Sequence, residues 1–333
     1  MKTYQSQFHH QWQHLHDKHV RALAWLITSP SLLTEVPPWR GKIAEIEASD
    51  DHGLITWLTE LDRHPETLHQ VLESHHQRRL GRYAENLLAF YLQHLNILYA
   101  KNVQVQNGKH TLGEFDFLLN DVNGLLHWEL ATKFYIHVAG GDGIDSGVHL
   151  HDYLGPNLVD TLSAKLNKVF TQQLQLSHNP AAASVLPLPV LKAQALIKGW
   201  LFYRPDDAFS SVASLASVAS VTYPAEIAVN HCRGYWWSIA EVMQLELSAG
   251  LILDRLDWLA PAQAGDADVI ETAELHEQVR QRLIRDQSPI LLAVMSKNGD
   301  VWQESCRGMV VPDTWLTNAL QRRFQNRPDN QSS

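Results

Sequence analysis

The chain has 333 residues, of which 45% are hydrophobic and 19% charged, with a formal net charge of -9. That provides enough apolar material for a sizeable core, and the charge content is too ordinary for a disordered chain. The acidity excludes a globally basic nucleic-acid binder, while leaving room for a local cationic patch.

The start of the chain lacks the apolar run of a signal peptide, and no stretch of bilayer length is continuously apolar. Cys232 and Cys306 form no CxxC pair and suggest no disulfide framework. The expectation is a reduced, cytoplasmic protein without membrane contact.

Residues 5–28 read as one helix, with Trp12, Leu15, Val20, Leu23, Leu26 and Ile27 as its stripe and Ser29-Pro30 as its stop. His10 and His14 have the i, i+4 spacing of a helical metal pair but lack the Glu partner and third ligand of such motifs. A second helical region is expected to run from Pro37-Pro38 to about Leu61, and a third from Pro65 to His75. The basic run His75–Arg79 with Arg82 suits a solvated helix end or a phosphate contact.

From Gly81 the residues Ala84, Leu87, Leu88, Tyr91, Leu92 and Leu95 follow the helical period. Three strand-like runs come next, Ile97–Val105, Gly113–Leu119 and Leu125–Ile136, with Asn-Gly turns at both junctions. A Gly-, Asp- and His-rich loop spans 137–157. It offers His137, Asp142, Asp145, His149, His151 and Asp152 as polar groups for a metal or substrate, or simply for solvent. A helix is expected over 158–176 and a strand over Ala193–Tyr203.

The order αβββαβ therefore occupies the centre, with an antiparallel meander and a helical crossover to a fourth strand. Residues 205–224 read as a loop, and Tyr235-Trp236-Trp237 as part of a short strand. Ala273–Arg285 reads as a helix, Ile290–Ser296 and Val301–Arg307 as a hairpin across Asn298-Gly299, and 313–324 as a last helix before a disordered tail. Trp200, Phe202, Tyr203, Trp236 and Trp237 suit core packing or base stacking.

Strand alternation supplies the chemistry. In the second run Phe115, Phe117 and Leu119 share one side, and Glu114 and Asp116 the other. In the third, Trp128, Leu130 and Phe134 share one side, and His127, Glu129, Ala131, Lys133 and Tyr135 the other. Pairing the two runs brings Asp116 near Glu129. Two converging carboxylates repel unless a cation sits between them, and an oxygen donor set suits Mg2+ or Mn2+. Such a site can hydrolyse phosphodiesters, with a lysine to neutralise developing charge. Glu85, on the border of the helical stripe, can reach the sheet edge as an additional ligand.

On Glu85 in GRYAENLLAFYL, Asp116 in GEFDFLL, and Glu129 with Lys133 in HWELATKFY, the chain resembles the PD-(D/E)XK nuclease superfamily. Across residues 75–205, including YLGPN and KGWLFY, it more closely resembles a bacterial family described as a domain of unknown function, number 1853. The resemblance implies a restriction-endonuclease-like α/β core with a four-stranded mixed sheet at 79–205. An N-terminal helical extension (1–78), a C-terminal α+β region (206–325) and a tail (326–333) surround that core.

It also implies Asp116, Glu129 and Glu85 as metal ligands, Lys133 as charge stabiliser, and DNA or RNA as partner. The alternative is a nuclease-like module without catalysis that binds nucleic acid or a protein. The superfamily's lysine usually stands two residues after the acid, where this chain has Ala131. Lys133 lies roughly 13 Å along an unbulged strand from Glu129, so Lys165 or Lys168 on the following helix could take the role.

Overall fold

The computed structural model describes residues 3–46, 51–73, 79–139, 148–205 and 223–325. The expectations for His75–Arg78, Asp142, Asp145, most of the 205–224 loop and the tail lie outside these residues.

The first expected helix is two helices, α1 (Tyr4–Trp12) and α2 (Lys18–Thr28). Asp17 separates them, because its carboxylate caps α2 by accepting from the His19 and Val20 amides at 2.9 and 3.0 Å. The second region is not helical over residues 39–46 and contains α3 (Asp51–Arg63), and α4 (Glu66–Glu73) follows Pro65. In α5 (Leu80–His94) every stripe residue from Ala84 to Leu92 is buried, while Leu95, just past its end, is exposed.

The meander comprises β1 (Leu98–Asn107), β2 (His110–Asp121) and β3 (Gly124–His137), all antiparallel. A two-residue strand, β4 (Tyr153–Leu154), pairs with the end of β3. Helix α6 (Leu162–Thr171) is shorter than expected and continues into 3-10 turns at Gln173–His178 and Pro180–Ser184. It provides the crossover to β5 (Val190–Tyr203), which runs parallel to β3 from Leu125↔Val190 to Ile136↔Phe202.

The chain then forms β6 (Cys232–Ser238), α7 (Ile239–Val242), β7 (Ala249–Leu253), β8 (Gln263–Ala264), α8 (Thr272–Asp286), β9 (Ile290–Asn298), β10 (Val301–Val311) and α9 (Trp315–Gln325).

The expected four-stranded sheet is overturned. Among the described residues one mixed sheet of ten strands runs β1-β2-β3-β5-β6-β10-β9-β7, with β4 and β8 beside β3 and β10. The sheet continues past β5 because β6 pairs with it in parallel, from Trp200↔Cys232 to Tyr203↔Tyr235, and the C-terminal hairpin then pairs with β6. Each half has the same plan, a three-stranded antiparallel meander with a fourth strand parallel to its inner member. These are β1-β2-β3 with β5, and β7-β9-β10 with β6.

The largest core cluster unites α2, α5 and one face of the sheet, including Phe117, Leu119, Phe134, Trp200 and Phe202. On the other face α6 packs on Ala131, Tyr135, Ile197 and Leu201, and the 3-10 turns pack on Phe115, Leu118 and Leu125. The aromatic residues Trp200, Phe202, Tyr203, Trp236 and Trp237 are buried in this core, so their rings are not a stacking surface for bases.

Candidate metal centre at a break in the sheet

Asp116 and Glu129 stand where β2 and β3 part. The ladder between these strands runs from Asp121↔Gly124 to Phe117↔Trp128 and ends there. Side chains then replace backbone partners. Asp116 Oδ2 accepts from the Leu130 amide at 3.0 Å, and the Asp116 amide donates to Glu129 Oε1 at 3.5 Å.

On the other side of β2, Asn102 falls opposite Asp116, between the pairs Lys101↔Phe117 and Val103↔Phe115, and takes φ +53°. Asparagine is one of the few residues that tolerate this left-handed conformation. The distortion corrects the expected alternation of β2. Phe115 packs with Leu118, while Phe117 packs with Leu119 in the main core, so the pattern slips by one residue at Asp116. Strand β3 keeps its period: Trp128, Leu130 and Phe134 pack on the main core, and Ala131 and Tyr135 face α6.

Glu129 is 2% exposed, and both its oxygens have partners. His127, two residues earlier on the same face, places Nε2 2.7 Å from Oε1. Gln173, at the start of the first 3-10 turn, donates from Nε2 to Oε2, and its own Oε1 accepts from Lys165 Nζ at 3.0 Å. Burial holds the His127 ring well below the usual imidazole range, at about 4, so it is neutral. With Nε2–H donating to Glu129, Nδ1 stays a bare acceptor without a partner, and the ring meets Phe115 edge-on at 4.7 Å.

Electrostatics mark this pair. Asp116 is pushed up to about 8, chiefly by burial and then by the charges of Glu129 and Glu85. Glu129 is pushed up to about 7 by burial, an effect that the Asp116 amide and Lys165 partly offset. Lys165 is lowered by burial and by the neighbouring charge of Lys133, and the two carboxylates partly restore it. One buried site thus contains two carboxylates that resist losing both protons and an ammonium that resists keeping its own.

The second half of the sheet shows what a buried strand carboxylate looks like when its role is structural. Glu304 stands five residues after Gly299, as Glu129 does after Gly124, and is 1% exposed. Arg307 grips both its oxygens at 2.6 and 2.7 Å and also donates to the carbonyls of Trp258 and Ala260. Among the described residues no arginine or lysine pairs directly with Asp116 or Glu129. Their missing counter-charge sets them apart.

The other expected site residues occupy distinct places. Glu85 accepts from Arg82 at 2.7 Å and Asn102 at 3.4 Å, within a cluster that also holds Glu114, and its charge raises Asp116. Lys133 pairs with Asp160 at 3.2 Å, as does the Tyr135 hydroxyl at 3.1 Å. Lys168 is exposed.

His149 and His151 stack at 5.1 Å beside Asp152, which is buried and bound by Arg323 of α9. That carboxylate ties the C-terminal helix to the loop after β3. His14 bonds to Thr59 Oγ1. Sequence reading placed His127 on the Glu129 face without giving it a role. It gave Gln173 and Asp160 no role, because it placed both inside the helix expected over 158–176, whereas Asp160 precedes α6 and Gln173 opens the 3-10 turn after it.

A divalent cation partly fits this donor set. Among the described residues no group of three or more His, Cys, Asp or Glu is arranged to hold a metal ion. Two carboxylates suffice for Mg2+, which keeps several waters and takes its remaining ligands from substrate phosphate. A cleft of about 510 Å³ lies elsewhere, between Tyr91, Leu92, Trp128 and residues 35–46. It contains neither carboxylate, and the donor chemistry, not cavity size, identifies the site.

Among the described residues no helix is long and apolar enough to cross a membrane. No curated protein and no solved structure matches the chain. The family model for a domain of unknown function, DUF1853, matches residues 21–311, and the chain belongs to that family.

Proposed function

We propose that the chain is a Mg2+- or Mn2+-dependent phosphodiesterase acting on DNA or RNA, with a PD-(D/E)XK-like core formed by α5, β1–β3, α6 and β5. The observation that carries this reading is the convergence of half-buried Asp116 and buried Glu129, with no lysine or arginine paired directly to either among the described residues, where two strands separate. Asp116 and Glu129 would hold the cation, which would supply an activated water and positive charge at the phosphate. His127 orients Glu129 by hydrogen bonding. Lys165 of α6, whose charge acts on both carboxylates, would neutralise charge on the scissile phosphate. Lys133 is committed to Asp160. Glu85 acts from outside the ligand set and strengthens the negative field.

The test is cleavage of single- and double-stranded DNA and RNA with Mg2+ or Mn2+. Asp116→Ala and Glu129→Ala should each abolish turnover in a folded protein. Full activity in either variant refutes the assignment.

The engagement of both Glu129 oxygens by His127 and Gln173 favours a second reading, a module that binds nucleic acid or a protein without cleaving. Calorimetric titration separates the two. The module would bind nucleic acid with no Mn2+ heat and no turnover.

A further inference from the structure

We propose that Gln173 is a positioning residue that keeps Lys165 from closing onto the carboxylate pair in a salt bridge, so that an incoming cation meets neutral hydrogen-bond partners and has no ammonium to displace. This rests on the metal-site reading above.

An ammonium beside a buried and a half-buried carboxylate would ordinarily close onto one of them, because a charge withdrawn from water is costly without a direct partner. Lys165 is half-buried and feels the charges of both Glu129 and Asp116, yet the partner of its Nζ is the Gln173 amide oxygen at 3.0 Å. The other end of that amide donates to Glu129 Oε2. A planar amide accepts from a cation at one end and donates to an anion at the other. It satisfies both charged groups while keeping them apart by its own width.

The backbone holds the amide there. Gln173 opens the 3-10 turn directly after α6, and Leu174 and Leu176 of that turn are buried in the two clusters on this face. Alanine at this position would remove the spacer. Glutamate would bind Lys165 and add a third charge. Asparagine would be too short to bridge the same gap. With the spacer gone, the flexible lysine stem can swing its ammonium onto Glu129, and a divalent ion must then displace a salt bridge.

The experiment uses the full chain and four proteins: wild type, Gln173→Ala, Lys165→Met and Gln173→Ala/Lys165→Met. Mn2+ is titrated calorimetrically after circular dichroism has established that each is folded. Gln173→Ala should weaken Mn2+ binding about tenfold, equivalent to roughly 1.4 kcal/mol. The double variant should bind as Lys165→Met does, since the spacer has no function once the lysine is gone. A loss that persists undiminished in the Lys165→Met background, or no loss in Gln173→Ala, overturns the proposal.

A crystal structure of metal-free Gln173→Ala gives the second readout, with Lys165 Nζ expected within hydrogen-bond distance of Glu129 or Asp116. If wild type binds no Mn2+, the metal reading falls. If Lys165 stays unmoved in that crystal, the positioning role falls, whatever the chain does with metal.

Discussion

Replacing Asp116 with asparagine should stabilise the metal-free protein at alkaline pH, and by more as the pH rises. Burial and two neighbouring carboxylates push Asp116 from 3.8 up to about 8. In the folded chain it therefore keeps a proton that the unfolded chain has already released. Folded protein binds more protons than unfolded between pH ~4 and ~8, so this group makes stability fall as pH rises through that window.

The displacement of about 4 pH units is worth roughly 5 kcal/mol at the conversion of ~1.4 kcal/mol per unit. Glu129 carries part of the same coupled cost, so one substitution recovers about half. Asparagine keeps an oxygen for the Leu130 amide and cannot ionise. Urea unfolding in a chelator, followed at pH 5 and pH 8.5, should show the stability gap between Asp116→Asn and wild type widening by roughly 2 kcal/mol in favour of the variant. Saturating Mg2+ should close the gap, since only wild type gains from the cation. A gap that is the same at both pH values, or that moves toward wild type at pH 8.5, refutes the reasoning about the buried pair.

Thermal stabilisation of wild type by Mg2+ should grow between pH 6 and pH 8.5, because the cation must displace protons held by Asp116 and Glu129. A flat profile in differential scanning fluorimetry would contradict this. Lys165→Ala should lower cleavage turnover by about a hundredfold or more, and Lys133→Ala by less than about tenfold; the reverse ranking would return the role to Lys133. Gly199→Ala should cost more than about 4 kcal/mol or prevent soluble expression. Gly199 has φ +150°, and a Cβ there would sit 1.7 Å from the Lys133 carbonyl oxygen. Urea unfolding checks this. Arg307→Met leaves Glu304 buried without its counter-charge and should destabilise by about 3–5 kcal/mol in the same assay.

Local chemistry made much of this molecule legible in the sequence. The Asn-Gly turns at 123–124 and 298–299 join the two hairpins, the stripe from Ala84 to Leu92 is buried as its period requires, and β3 places His127 and Glu129 on one face. These features depend on neighbours a few residues apart, and a strand or helix period reports such neighbours directly.

Tertiary structure decided the rest. The sheet extends to ten strands through the parallel pairings β5–β6 and β6–β10, between segments that share no local pattern. Asp116 reaches its place through a slip in β2 opposite a left-handed Asn102, and Lys165 and Gln173 approach Glu129 from a helix and a turn more than thirty residues away. Glu129 and Glu304 stand at the same distance from their Asn-Gly turns, and only the fold distinguishes them. Arg307 holds one in a buried ion pair, and the other shares its site with a second carboxylate. The charge of a buried group is set by what surrounds it in three dimensions, and sequence spacing carries that information only along a single strand or helix.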